Sequence, residues 1–205
     1  MTIGITGLNW PINNVIIVAP AFSDEYYPRS LAYNLGNMYD LEDNPLPEEV
    51  WSFSIIEPIF DFVVDQINGN QTSYDMFGHS AGAQFAQRFV LFKNDSNVNR
   101  VVLANAGWYT MLDFLIDYPY GLKETSLNID KRTPILQHKI VILLGDGDTE
   151  RTRSLRQTPE ADLQGRNRYE RGLFYFEMAN QLALENDVNL GWIQQTVPGV
   201  GHNNA

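Results

Sequence analysis

The sequence predicts one α/β domain spanning residues 1–205, built on a mostly parallel sheet with helices on both faces. Three observations predict it. Short apolar runs alternate with longer helix-like segments along the whole chain. The run Lys139-Ile140-Val141-Ile142-Leu143-Leu144 is continuously apolar, as a strand buried on both faces must be. Finally, 205 residues with 44% hydrophobic content supply one sizeable core, and no shift in composition marks a second domain.

Residues 1–11 contain Gly4, Gly7 and Pro11 and leave room for one short strand at most. The first clear strand is expected near residues 14–19, and others near 73–77, 100–105, 139–144 and 191–197. The polar stretch from Tyr26 to Pro47, rich in Asn, Asp and Pro, is expected to arch as a loop over the site. Ile55, Ile59, Phe62, Val63 and Ile67 mark the core stripe of a helix before the second of these strands. Phe85, Phe89 and Phe92 follow at near-helical spacing, and Phe174, Met178, Leu182 and Leu184 mark a last helix packed on the core.

Between the strand at 73–77 and the helix from Ala81 lies Gly78-His79-Ser80-Ala81-Gly82, which fits G-x-S-x-G. In that setting the motif forms a nucleophile elbow, a strained turn that exposes the serine hydroxyl while flanking glycines let strand and helix pass close. Chance alone puts the pattern in a chain this long roughly 7% of the time. The order of residues downstream therefore decides its weight, because an acid and then a histidine must follow at later strand ends. Both do.

Gly145-Asp146-Gly147-Asp148 comes directly after the apolar run, at the carboxyl edge where catalytic groups of a parallel sheet collect. Either aspartate can serve; Asp148 is taken as the acid and Asp146 as a turn residue. Of the three histidines, His79 sits beside the nucleophile and cannot swing round to accept its proton. His138 enters a strand at its amino end and reads as a surface residue. His202 follows the alternating run Trp192–Val197 through Pro198-Gly199-Val200-Gly201, which puts it at the catalytic edge as general base. Ser80, His202 and Asp148 then form the nucleophile, base and acid of a serine hydrolase.

The sequence resembles the α/β-hydrolase superfamily on Gly78 to Gly82, on the strand followed by Gly145 to Asp148, and on Pro198 to His202. Val18-Ala19-Pro20, Trp51-Ser52-Phe53 and Asn105-Ala106-Gly107-Trp108, with the closing Pro-Gly-Val-Gly-His, make it similar to serine esterases of the polyhydroxybutyrate depolymerase and feruloyl esterase type. The resemblance implies cleavage of carboxylic esters without a metal or organic cofactor. It also sets two expectations of shortfall. The strands before Asn14–Ala19 and the turn that donates a second oxyanion amide have no counterpart, and neither does the usual last helix, as in a truncated product. The amide of Ala81 supplies the first oxyanion donor, and losing one such donor lowers turnover by about 10² to 10³. An exposed edge left by missing strands is expected to favour a homodimer.

Trp108 and Tyr109 follow a strand at the catalytic edge and are candidates to line an acyl or alcohol pocket; the alternative is that both pack beneath Leu112 to Tyr120. The formal net charge of −11 repels polyphosphates, anionic membranes and highly anionic substrates. Arg151, Arg153, Arg156, Arg166, Arg168 and Arg171 read as a solvated loop and helix start, or else as a local basic patch. There is no cysteine, hence no disulfide or thiolate metal site, and that absence leaves the compartment open. No run approaches the roughly 18 apolar residues that span a bilayer, and Met1 to Trp10 has no signal-peptide pattern. The acid and alcohol parts of a substrate are not encoded in these motifs. A second reading, a non-catalytic remnant that binds an acyl ligand or a partner protein, rests on the missing oxyanion turn.

Overall fold

The computed structural model describes Ile3–Ile5 and residues 15–202; residue 14 of the first expected strand and the closing residues 203–205 lie outside that set. Strands β3 (Tyr74–His79), β4 (Val98–Ala104), β5 (Ile140–Gly145) and β6 (Ile193–Val197) form a parallel four-stranded sheet in that order. A separate antiparallel pair joins β1 (Ile3–Ile5) to β2 (Val18–Pro20). Each parallel strand after β3 is reached through a crossover. Helices α1 (Arg29–Ala32) and α2 (Ile56–Gln66) precede β3; α3 (Ala81–Phe92), α4 (Arg132–Gln137), α5 (Pro159–Leu163) and α6 (Arg168–Glu185) occupy the connections after it.

Strands that follow one another across a sheet through right-handed crossovers leave α3, α4 and α6 on the same face. Beneath them lie Val101, Leu103, Ile140, Ile142 and Leu144, all buried. On the opposite face the register aligns Phe77, Val102, Val141 and Ile193 in one row. The two ends of that row are open to solvent among the described residues, Phe77 at 64% and Ile193 at 57%.

The core of the covered face is aromatic. Phe53 meets Phe85, Phe89 and Phe92 of α3 at centroid distances of 5.0 to 6.5 Å, so the phenylalanine stripe of that helix is filled from one side by a single ring. Two expected stripes are corrected by the structure. On α2, Ile59 and Val63 are buried with Ile56, whereas Phe62 and Ile67 are exposed. On α6, Phe174 and Leu184 face solvent, and the inward residues are Arg168, Arg171, Gly172, Tyr175, Ala179 and Ala183. The physical reason is close approach: a Cβ at Gly172 would collide with Leu144 of β5, so small residues rather than large apolar ones mark the contact.

The stretch from Tyr26 to Pro47 lies against α3. Tyr33 stacks on Phe85 at 5.6 Å, and Asn34 Nδ2 donates to Gln84 Oε1 at 2.9 Å, one helical turn beyond Ser80. His138 is half-buried, not a surface residue, and burial lowers its pKa.

Candidate active site

Ser80 joins β3 to α3 with φ 55° and ψ −115°, a backbone that L-residues rarely adopt and that costs about 1–3 kcal/mol. The turn is tight enough that a Cβ at Gly78 would collide with the carbonyl of Gly82. A serine at a helix N-cap ordinarily accepts a hydrogen bond from the first turn. Ser80 makes no such bond. Its hydroxyl lies 3.0 Å from His202 Nε2 instead, and the N–H of Ala81, among the helix-start donors without an intrahelical acceptor, stays available to an anion.

His202 Nδ1 is 2.7 Å from Asp148 Oδ2. An ionised carboxylate only accepts, so Nδ1 carries the proton and Nε2 faces the serine as an acceptor. The structure thus brings Ser80, His202 and Asp148, which are far apart in sequence, into one hydrogen-bonded series at the carboxyl ends of β3, β5 and β6. Asp148 is buried, with its side chain 1% exposed, while the His202 side chain keeps 26% exposure.

Loop interlocking holds this series. Asp146 Oδ1 accepts from Gly199 N at 2.6 Å, Gly147 N donates to Val200 O at 3.0 Å, and Asp146 N donates to Val197 O at 3.3 Å. Asn105, beyond β4 with φ 45°, accepts from Gly145 N at 2.9 Å and reaches Gly201 O at 3.5 Å. The two aspartates of one turn therefore have different contacts: Asp146 fastens the turn that carries His202, and Asp148 faces its imidazole.

No family model matches the chain, and no curated protein matches it. Among solved structures it is similar to poly(aspartic acid) hydrolase-1 from Sphingomonas sp. KT-1, with 40% identity and a TM-score of 0.90 over 92% of this chain and 72% of that one. The chain belongs to the α/β-hydrolase superfamily. A poly(3-hydroxybutyrate) depolymerase, LpqC, from Bordetella parapertussis shares 34% identity with this hydrolase at a TM-score of 0.85, over 91% of this chain and 64% of that one.

In this hydrolase Trp108 and Tyr109 are buried side chains. Tyr109 stacks on Tyr175 at 4.3 Å, and its backbone N–H and C=O are both held by Gln164. Two guanidinium groups lie over the Trp108 ring, Arg88 at 4.2 Å and Arg156 at 4.9 Å, with the Tyr120 ring at 4.8 Å. Both rings support the loop after β4 from within.

The arginine cluster is divided. Arg153 and Arg166 are exposed, but Arg168 and Arg171 are fully buried, which corrects the solvated reading for those two. Arg171 donates to Gly107 O and to Gly165 O at 2.6 and 2.8 Å and pairs with Asp162. Arg168 donates to Asp148 Oδ1 at 3.4 Å and to Ser154 Oγ at 3.0 Å. Sequence reasoning also passed over Asn105 as a brace and His79 as a neighbour of His202: the His79 ring lies 4.8 Å from that of His202. Their signal was position, since Asn105 follows β4 at the carboxyl edge of the sheet and His79 adjoins Ser80. Among the described residues no three His, Asp or Glu side chains converge as a metal site requires, and no helix is long and apolar enough to cross a membrane.

Proposed function

We propose that this protein is a serine hydrolase of carboxylic esters that needs no cofactor. The observation that carries the reading is the Ser80–His202–Asp148 series, with its serine held at φ 55° in the elbow. Ser80 Oγ attacks the ester carbonyl as its proton passes to His202 Nε2; the imidazolium gives that proton to the departing alkoxide, leaving an acyl-serine and an alcohol. Water then loses a proton to His202 and attacks the acyl carbon, releasing the acid and returning the proton to Ser80. Ala81 N–H meets the oxyanion in both steps.

Two of its relatives are named for poly(aspartic acid), a polyanion, and for poly(3-hydroxybutyrate), a polyester. The net charge of −11 opposes a polyanion, so short esters and 3-hydroxyacid polyesters are the substrates proposed here.

A fluorophosphonate probe followed by mass spectrometry tests the nucleophile without a guessed substrate. The adduct is expected on Ser80, to vanish in Ser80→Ala, and to form far more slowly in Asp148→Asn. In turnover of p-nitrophenyl butyrate, Asp148→Asn is expected to lose about 10⁴-fold, since the wrong imidazole tautomer is then favoured. Asp146→Asn, which alters only the turn, should lose far less. Full labelling of the Ser80→Ala protein overturns the reading. Preference for poly(aspartic acid) over 3-hydroxybutyrate oligomers overturns the substrate assignment alone.

A further inference from the structure

Asp148 is buried and touches two polar side chains, His202 and Arg168. To accept the Ser80 proton, as the hydrolase reading requires, His202 must be uncharged, and an uncharged imidazole does not balance the carboxylate charge. Arg168 does. Its own side chain is 1% exposed, its Nη2 is anchored on Ser154 Oγ, and its Nη1 points at Asp148 Oδ1 from the first residue of α6. The start of that helix is itself docked on the same aspartate, because Tyr169 N donates to the Asp148 backbone carbonyl at 3.4 Å. Asn167 caps the helix through Glu170 N, which fixes where Arg168 begins.

We propose that Arg168 is a positioning residue of this triad, a fixed counter-ion that keeps Asp148 ionised and aimed at His202 and, by its charge, keeps a proton from resting on His202. The inference deepens the hydrolase reading and rests on it for its catalytic meaning. Physically, a carboxylate between two cations shares its field: when His202 takes the serine proton, Asp148 attracts it and Arg168 opposes it. The base then passes the proton on to the leaving group instead of storing it. The other groups facing His202 are the His79 ring, from the end of β3, and Asp146, whose carboxylate is engaged by Gly199 N across the turn. Neither contacts Asp148 in the structure, so Arg168 is the charge that acts through the acid.

The test follows the three histidine resonances by NMR from pH 8 to 4.5, with His202→Gln assigning the signal of interest. In Arg168→Gln, which keeps a donor and loses the charge, the His202 midpoint is expected to rise by about one pH unit. In Arg168→Lys it should return to within a few tenths of the parent value. Ester turnover should fall in Arg168→Gln through kcat with KM held, its acid limb moving upward in step. A merely structural arginine would lower kcat or stability without moving the midpoint, and lysine would not restore it. Should Arg168→Gln fail to fold, Ser154→Ala frees the guanidinium from its second anchor, and a smaller rise in the His202 midpoint is expected there. An unmoved or lowered midpoint in the folded variant overturns the proposal. The titration is read without turnover: an inactive parent protein would sink the hydrolase reading while the midpoint still judges Arg168.

Discussion

His79 adjoins Ser80 and stands outside the Ser80–His202–Asp148 series, yet its placement affects the whole chain's response to acid. Burial, and after it the neighbouring His202, lower its pKa; its Nε2 is buried with no hydrogen-bond partner among the described residues. Burial lowers that of His138 as well. The folded protein therefore binds fewer protons than the unfolded chain just below the unperturbed histidine value of about 6.5. Stability from these groups is present in full above that pH and is lost as pH falls through it toward the lower folded values. Urea unfolding at pH 8, 6.5 and 5 is expected to show that decline, and His79→Gln to flatten it; an unchanged slope in the variant would count against the assignment. The meeting of Ser80, Asp148 and His202 was legible because each sits in a local pattern at a strand end. Arg168 was not. An arginine at a helix start looks like a solvated charge, and only the fold reveals that its partner lies twenty positions earlier, on the far side of a loop.

At the level of elements, helix α6 shows why reading apolar periodicity goes astray. Large residues at Phe174 and Leu184 drew the stripe to the outer face, whereas the inner face uses Gly172, Ala179 and Ala183 to bring the helix close to β5. The strands were easier: all four of the parallel sheet lie within two residues of their expected bounds, since uninterrupted apolar runs between helices have few other uses. Close packing makes a sharp expectation. In an exposed helix Gly→Ala gains about 0.8–1.0 kcal/mol from propensity. At Gly172 the added methyl meets Leu144, and overpacking of a core costs about 1–3 kcal/mol, so Gly172→Ala should be net destabilising by denaturant titration. Equal or greater stability would show that β5 yields at that point.

For the molecule as a whole, the consequential asymmetry is between the two sheet faces. One carries α3, α4 and α6; the other presents the row Phe77, Val102, Val141 and Ile193, whose ends are exposed among the described residues. Composition gave no hint of this, because a run of apolar residues reads the same whether one face or two are covered. Concentration-dependent self-association is expected from such a row and from the edge of β3 that pairs with no strand among the described residues, and multi-angle light scattering should show the mean mass rising with concentration and falling back in Phe77→Lys. A constant monomer mass in both proteins would refute it. The His202 turn has a different consequence. The turn that carries His202 is fastened by Asp146, Gly147 and Asn105 through loop contacts. A catalyst whose base hangs on one small clasp has two melting events, not one: the clasp can open while the sheet stays closed. Heat or a protease would then silence the enzyme first and unfold it later, and amide exchange at Gly199 would report the silencing.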